Sequence, residues 1–140
     1  MNIYLDIDGV LLNQELAPAL HTREFLAYVL KNFPDTTYWL TTRCKGNTIS
    51  PIQQLGDIFD DKSIELMKKI KATNWDSAKT EAIDFSKPFL WFDDNLFSSE
   101  HAALREHGVE DNWIPVDLKK NPYQLRILLR DFPTPINTPR

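Results

Sequence analysis

Four short runs of aromatic and branched residues, separated by stretches of helical period, constrain this chain more than any other feature of its sequence. The runs are Asn2–Asp6, Thr36–Thr41, Phe89–Asp93 and Trp113–Asp117, each bounded by turn-forming or polar residues. Three of them end in aspartate and the other in threonine. Between them, His21–Phe33 places Phe25, Leu26, Val29, Leu30 and Phe33 on one stripe before Pro34 stops it. Ser50-Pro51 reads as an N-cap followed by proline at the first helical position, leading into Ile52, Leu55, Ile58 and Phe59. Ser98–His107 and Pro122–Phe132 are helical by the same test, the latter through Leu125, Leu128, Leu129 and Phe132. Residues 60–73 fit either a helix or a short edge strand. A strand-helix alternation of this kind predicts an α/β fold, with a mainly parallel central sheet sandwiched by helices.

At 140 residues the chain suits one domain, expected over 1–132, followed by a Pro-rich tail over 133–140 that is either strapped along the body or loose. Apolar residues make up 42% of the chain, enough for a core, and no window approaches the length of a membrane span. Asp6 and Asp8 interrupt any signal-peptide core, and the single cysteine, Cys44, has no partner for an internal disulfide. A soluble, cytoplasmic protein is the expectation. The net charge of −4 argues against broad electrostatic capture of nucleic acid, leaving no strong nucleic-acid signal. Glycines only at 9, 46, 56 and 108 exclude both a phosphate-binding P-loop and a dinucleotide-binding glycine loop.

In parallel sheets, ligands sit beyond the carboxyl ends of the strands, where Asp6, Thr41 and Asp93 should converge. In Asp6-Ile7-Asp8-Gly9-Val10-Leu11, two carboxylates two residues apart on an extended chain project to one side, and a divalent cation would relieve their repulsion. A solvated turn is the plainer explanation of that segment by itself. Trp91-Phe92-Asp93-Asp94-Asn95 brings further negative charge to the same rim; alone, Asp-Asp-Asn is best explained as a turn. Thr41-Thr42-Arg43 offers a hydroxyl and backbone N–H groups to phosphate oxygens, although threonine in a strand is usually β-propensity. Lys79 precedes the third run; a lysine on a helix is usually solvated, as Lys68, Lys69 and Lys71 are expected to be. The combination is more specific than its parts.

The ordered series Asp-x-Asp-Gly-Val, strand-Thr, Lys and strand-Asp-Asp resembles the haloacid dehalogenase superfamily, with all four motifs lying between Asp6 and Asp94. The resemblance implies a Rossmann-like core and a magnesium-dependent (Mg2+) phosphatase or related hydrolase. It implies Asp6 as the nucleophile that becomes an aspartyl-phosphate. Asp8 would be the general acid/base, its main-chain carbonyl also binding the metal. Thr41 would hydrogen-bond the phosphoryl group and Lys79 would neutralise charge on it and on Asp6. In the last motif Asp94 is the chosen direct metal ligand, with Asp93 supporting it, an assignment the Asp-Asp pair leaves open. Thr42, Arg43 and Asn95 are further candidates for phosphate contact.

Only 32 residues separate Asp8 from Thr41, and 36 separate Thr42 from Lys79. Neither gap holds a lid with its own core, so no cap domain is expected. An open site favours a phosphoryl group on something large or accessible, even macromolecular, with Asn13–Leu20 as a small flap adding selectivity. Two other classes remain: a receiver-type module that stably accepts a phosphoryl group, which the order of the motifs disfavours, and a non-catalytic binding relative. Trp39, Trp91, Trp75 and Trp113 are read as packing residues, Cys44 as an inert thiol, and His21, His101 and His107 as having no catalytic role.

Overall fold

The computed structural model describes residues 1–136. Its centre is a four-stranded sheet, β1 (Asn2–Leu5), β2 (Thr37–Trp39), β3 (Phe89–Asp93) and β4 (Trp113–Pro115), in the spatial order β2-β1-β3-β4. Every pairing is parallel, with Ile3 opposite Thr37, Asn2 opposite Phe89 and Trp91 opposite Trp113. The helices are α1 (Thr22–Asn32), α2 (Ile49–Leu55), α3 (Asp61–Met67), α4 (Ser98–Glu106) and α5 (Gln124–Arg130), with 3-10 turns at Lys79–Ala82 and Glu110–Asn112. The result is a Rossmann-like α/β sandwich of three layers.

Strand alternation builds the two apolar layers. Ile3, Leu5, Ile7, Leu90 and Phe92 point to the face covered by α1, α2, α3 and α5, where they meet Phe25, Leu26, Val29, Leu55, Met67 and Leu125. Tyr4, Leu40, Phe89 and Trp91 point to the opposite face, where Leu104 of α4, Ile83 and Val109 cover them. The central strands are therefore buried on both sides, which is why β1 and β3 read as unbroken apolar runs. Phe92 is enclosed by Phe25, at a 5.5 Å ring separation, and by Phe132, at 5.9 Å. Burying one such ring contributes about 1.5–3 kcal/mol.

Some boundaries differ from the sequence reading. The second strand is shorter than expected, ending at Trp39, because Leu40 and Thr41 already turn into the loop that carries Arg43. Helix α2 begins at Ile49, ahead of Pro51, and the Asn47 side chain closes the turn leading into it by accepting from the Ile49 N–H at 2.9 Å. Residues 60–73 supply both alternatives. Asp60 caps α3 by accepting from Ser63 N–H, and Lys71 then makes a single parallel bridge to Tyr38 at the sheet edge. Lys68, Lys69 and Lys71 are exposed as expected.

The start of the tail runs back along the body, the Ile136 N–H donating to Asn112 Oδ1 at 2.7 Å; residues 137–140 lie outside the described residues. Between β2 and Lys79 the chain forms only α2, α3 and the Lys71 bridge. Among the described residues, no helix is long and apolar enough to cross a membrane.

Candidate functional site

Parallel pairing in the order β2-β1-β3 sets the carboxyl ends of those strands side by side, and the residues just past them share one rim. Asp6 follows β1 and is buried; its Oδ1 accepts from the Ile7 N–H at 2.8 Å. Asp93 ends β3 and is 1% exposed. Lys79 reaches between them from the 3-10 turn on the other face, its Nζ 2.6 Å from Asp93 Oδ2 and 3.3 Å from Asp6 Oδ2. Lys79, singled out in the sequence as the cation that would sit beside Asp6, is thus a buried ammonium shared by two carboxylates, unlike the solvated Lys68, Lys69 and Lys71.

Asp93 is held from every side. Its Oδ1 accepts from the N–H groups of Asp94, at 2.7 Å, and Asn95, at 3.2 Å. Its Oδ2 accepts from the Trp91 indole N–H at 3.2 Å as well as from Lys79. Trp91 is therefore more than packing, and the signal was available: residues two apart on a strand share a face. Asn95 turns its backbone, rather than an identified side-chain contact, toward this carboxylate.

One carboxylate oxygen from each of Asp6, Asp93 and Asp94 falls within 4.8 Å of the others. Asp94 is exposed and lies directly over Gly9, where a Cβ would overlap its carboxyl group; Gly9 also has φ +84°. A side chain at position 9 would thus be strained twice. Lys79 meets two of these three carboxylates, and an oxygen-only donor set with surplus negative charge fits a hard divalent cation. Charge explains the proton affinities here. Burial, then the Asp6 charge, push the Asp93 carboxyl up to about 8 against the pull of Lys79. For Lys79, burial works downward, but Asp6 and Asp93 outweigh it and hold the ammonium above its ordinary value.

The two aspartates of the first motif do not share a partner. The chain is extended only to Leu5 and bends at Ile7, so Asp8 leaves the carboxylate group and faces the loop after β2. There Arg43 grips it with a two-pronged contact, Nε to Oδ2 at 2.7 Å and Nη2 to Oδ1 at 2.9 Å. The third nitrogen, Nη1, donates to Gln54 Oε1 at 2.7 Å, and Gln54 Nε2 donates to Ser50 Oγ at 2.8 Å. The pKa of Arg43 is raised first by its hydrogen bonds to Asp8 and, against the effect of burial, by the charges of Asp8 and Asp6. Thr41 is fully buried, and its Oγ1 accepts from the Arg43 N–H at 3.3 Å; Thr42 is exposed on the same turn.

Sequence reasoning missed Gln54 and Glu100. Glu100 is 2% exposed and ties α4 to the site, its Oε1 accepting from Phe97 N–H and its Oε2 from Lys79 N–H, each at 3.1 Å. A glutamate three residues past a helix start was the available clue. The flap at Asn13–Leu20 is a small turn closed by Asn13, whose Oδ1 accepts from Glu15 and Ala17 N–H. It walls a cleft of about 440 Å³ with Leu118, Lys119 and Pro122, to which neither Asp6 nor Asp94 contributes. Cys44 is a free, buried thiol.

Comparisons with protein-family models, with curated proteins and with solved structures found no match.

Proposed function

We propose that this chain is a magnesium-dependent phosphohydrolase, a capless relative of the haloacid dehalogenases, that cleaves a phosphate monoester through an aspartyl-phosphate on Asp6. The observation that carries the reading is the grouping of Asp6, Asp93 and Asp94 oxygens within 4.8 Å, with the Lys79 ammonium 3.3 Å from Asp6. A carboxylate is a modest nucleophile toward an anionic phosphoryl group, and it needs that much positive charge beside it.

In this reading an Asp6 oxygen attacks phosphorus as the bond to the leaving oxygen breaks, and Asp8 gives that oxygen its proton. Asp8 then takes a proton from a water that attacks the aspartyl-phosphate, releasing inorganic phosphate and restoring Asp6. Thr41 and Lys79 hold the phosphoryl oxygens, and Thr42, Arg43 and Asn95 stand at the mouth. Asp6, Asp94 and Asp93 would hold the magnesium ion, together with the Asp8 main-chain carbonyl, and the ion would supply Lewis-acid neutralisation of phosphoryl charge. The open rim suits a large or macromolecular phosphorylated substrate, and the setting is cytoplasmic.

The test is phosphate release from para-nitrophenyl phosphate with magnesium and after chelation. Steady, magnesium-dependent turnover is expected, with Asp6→Asn lowering it by about 1,000-fold or more while leaving the melting temperature near wild type. Full activity in Asp6→Asn overturns the nucleophile. Stable stoichiometric phosphorylation favours a receiver-type module, and no reaction favours a binding protein.

A further inference from the structure

As built, the Arg43–Asp8 contact is unproductive for the chemistry proposed above. Both Asp8 oxygens are taken by Arg43, whereas a carboxyl group that hands a proton to a leaving oxygen must present one of its own oxygens to it. Lys79 does not reach Asp8: its contacts are with Asp6 and Asp93. The grip is also placed to open: the Asp8 side chain is 48% exposed and that of Arg43 23%, so water competes for both partners.

We propose that Arg43 is a clamp exchanged by substrate, its Nε/Nη2 edge holding Asp8 in the free protein and moving to two phosphoryl oxygens when substrate binds, with Gln54 guiding the guanidinium through its third nitrogen. This rests on the phosphohydrolase reading. A phosphoryl group offers the planar guanidinium the same two-oxygen partner that a carboxylate does, with more negative charge. The contact with Gln54 is separate from the exchanged edge: Nη1 donates to Gln54 Oε1, and Gln54 Nε2 donates to Ser50 Oγ within α2. The phosphoryl group that displaces Asp8 is therefore the one that releases it for proton transfer. Arg43 would bind substrate, and Gln54 is a positioning residue.

The experiment follows the Arg43 Nε–H signal by nitrogen-15 NMR, assigned by its loss in Arg43→Lys, while inorganic phosphate and magnesium are added to wild type and to Asp6→Asn. The signal is expected to shift with phosphate in both. In kinetics on para-nitrophenyl phosphate, Arg43→Gln is expected to raise KM and the phosphate inhibition constant by about tenfold or more, with a smaller fall in kcat, as removal of a charge-assisted bond to phosphoryl implies. Gln54→Ala should raise KM severalfold, and Arg43→Lys should recover part of the loss. Turnover with an unmoved Arg43 signal, or a fall in kcat at unchanged KM, overturns the exchange and leaves the phosphohydrolase reading standing. Absence of both turnover and phosphate binding overturns the two together.

Discussion

Lys79 offers one positive charge to two buried carboxylates, Asp6 and Asp93, with Asp94 beside them, and the imbalance sets how the site responds to pH. Asp93 is pushed up to about 8, burial first and Asp6 second, from an unfolded value near that of a free aspartate. The folded protein therefore holds a proton that the unfolded chain has lost between roughly pH 4 and 8, and metal-free stability falls as pH rises across that interval. The exposed carboxylates Asp60 and Glu81 act the other way: their values are lowered by backbone N–H donors, and what they contribute is lost only in acid. Thermal melts in chelator should thus decline from pH 6 to pH 9, by roughly 1 kcal/mol of stability per pH unit up to about pH 8 and little beyond it. Added magnesium should raise the melting temperature more at pH 8 than at pH 6, since binding expels that proton. A flat or rising chelator profile over the same range would contradict the assignment.

At the level of elements, the site is assembled by contacts that join one piece of secondary structure to another. Glu100 fastens the first turn of α4 to the backbone of Lys79, so the helix carries no reacting group yet fixes where the ammonium lies. Glu100→Ala leaves two N–H groups without their acceptor and should cost about 1–3 kcal/mol for each that stays buried. Turnover is expected to fall further than the loss of folded protein explains, measured as kcat at a temperature where circular dichroism shows the variant folded. These joins also explain what the sequence revealed. Strands β1 and β3 were legible because burial on both faces leaves continuous apolar runs, and their terminal aspartates marked the rim. The Arg43 grip on Asp8 was not, since a bend at Ile7 decides where Asp8 points and an extended-chain premise cannot register a bend. Gln54 meets Arg43 eleven residues away and Glu100 meets Lys79 twenty-one away, and although the position of Glu100 near a helix start hinted at a cap, no local period signals either long-range partner. The α2 start was misplaced for a smaller reason: the Asn47 side chain accepts from the Ile49 N–H and turns the chain into the helix ahead of Ser50.

Across the whole molecule, β1 and β3 carry both the core and the site, so stability and site geometry share a support. Phe92 is fully buried against Phe25 and Phe132 and directly precedes Asp93. Phe92→Ala should remove about 3–5 kcal/mol of stability, read as a lower urea midpoint at unchanged slope. The parallel register also has a temporal side. Asn2 pairs with Phe89 and Leu5 with Phe92, so a growing polypeptide emerging from the ribosome cannot complete the middle of its sheet until most of its length has been made. Until then the opening segment is an apolar ribbon with one unclaimed edge, and the acidic group around Asp6 does not yet exist. Synthesis halted before the third strand would leave no half-formed acidic site behind, only a fragment for chaperones or proteases to collect.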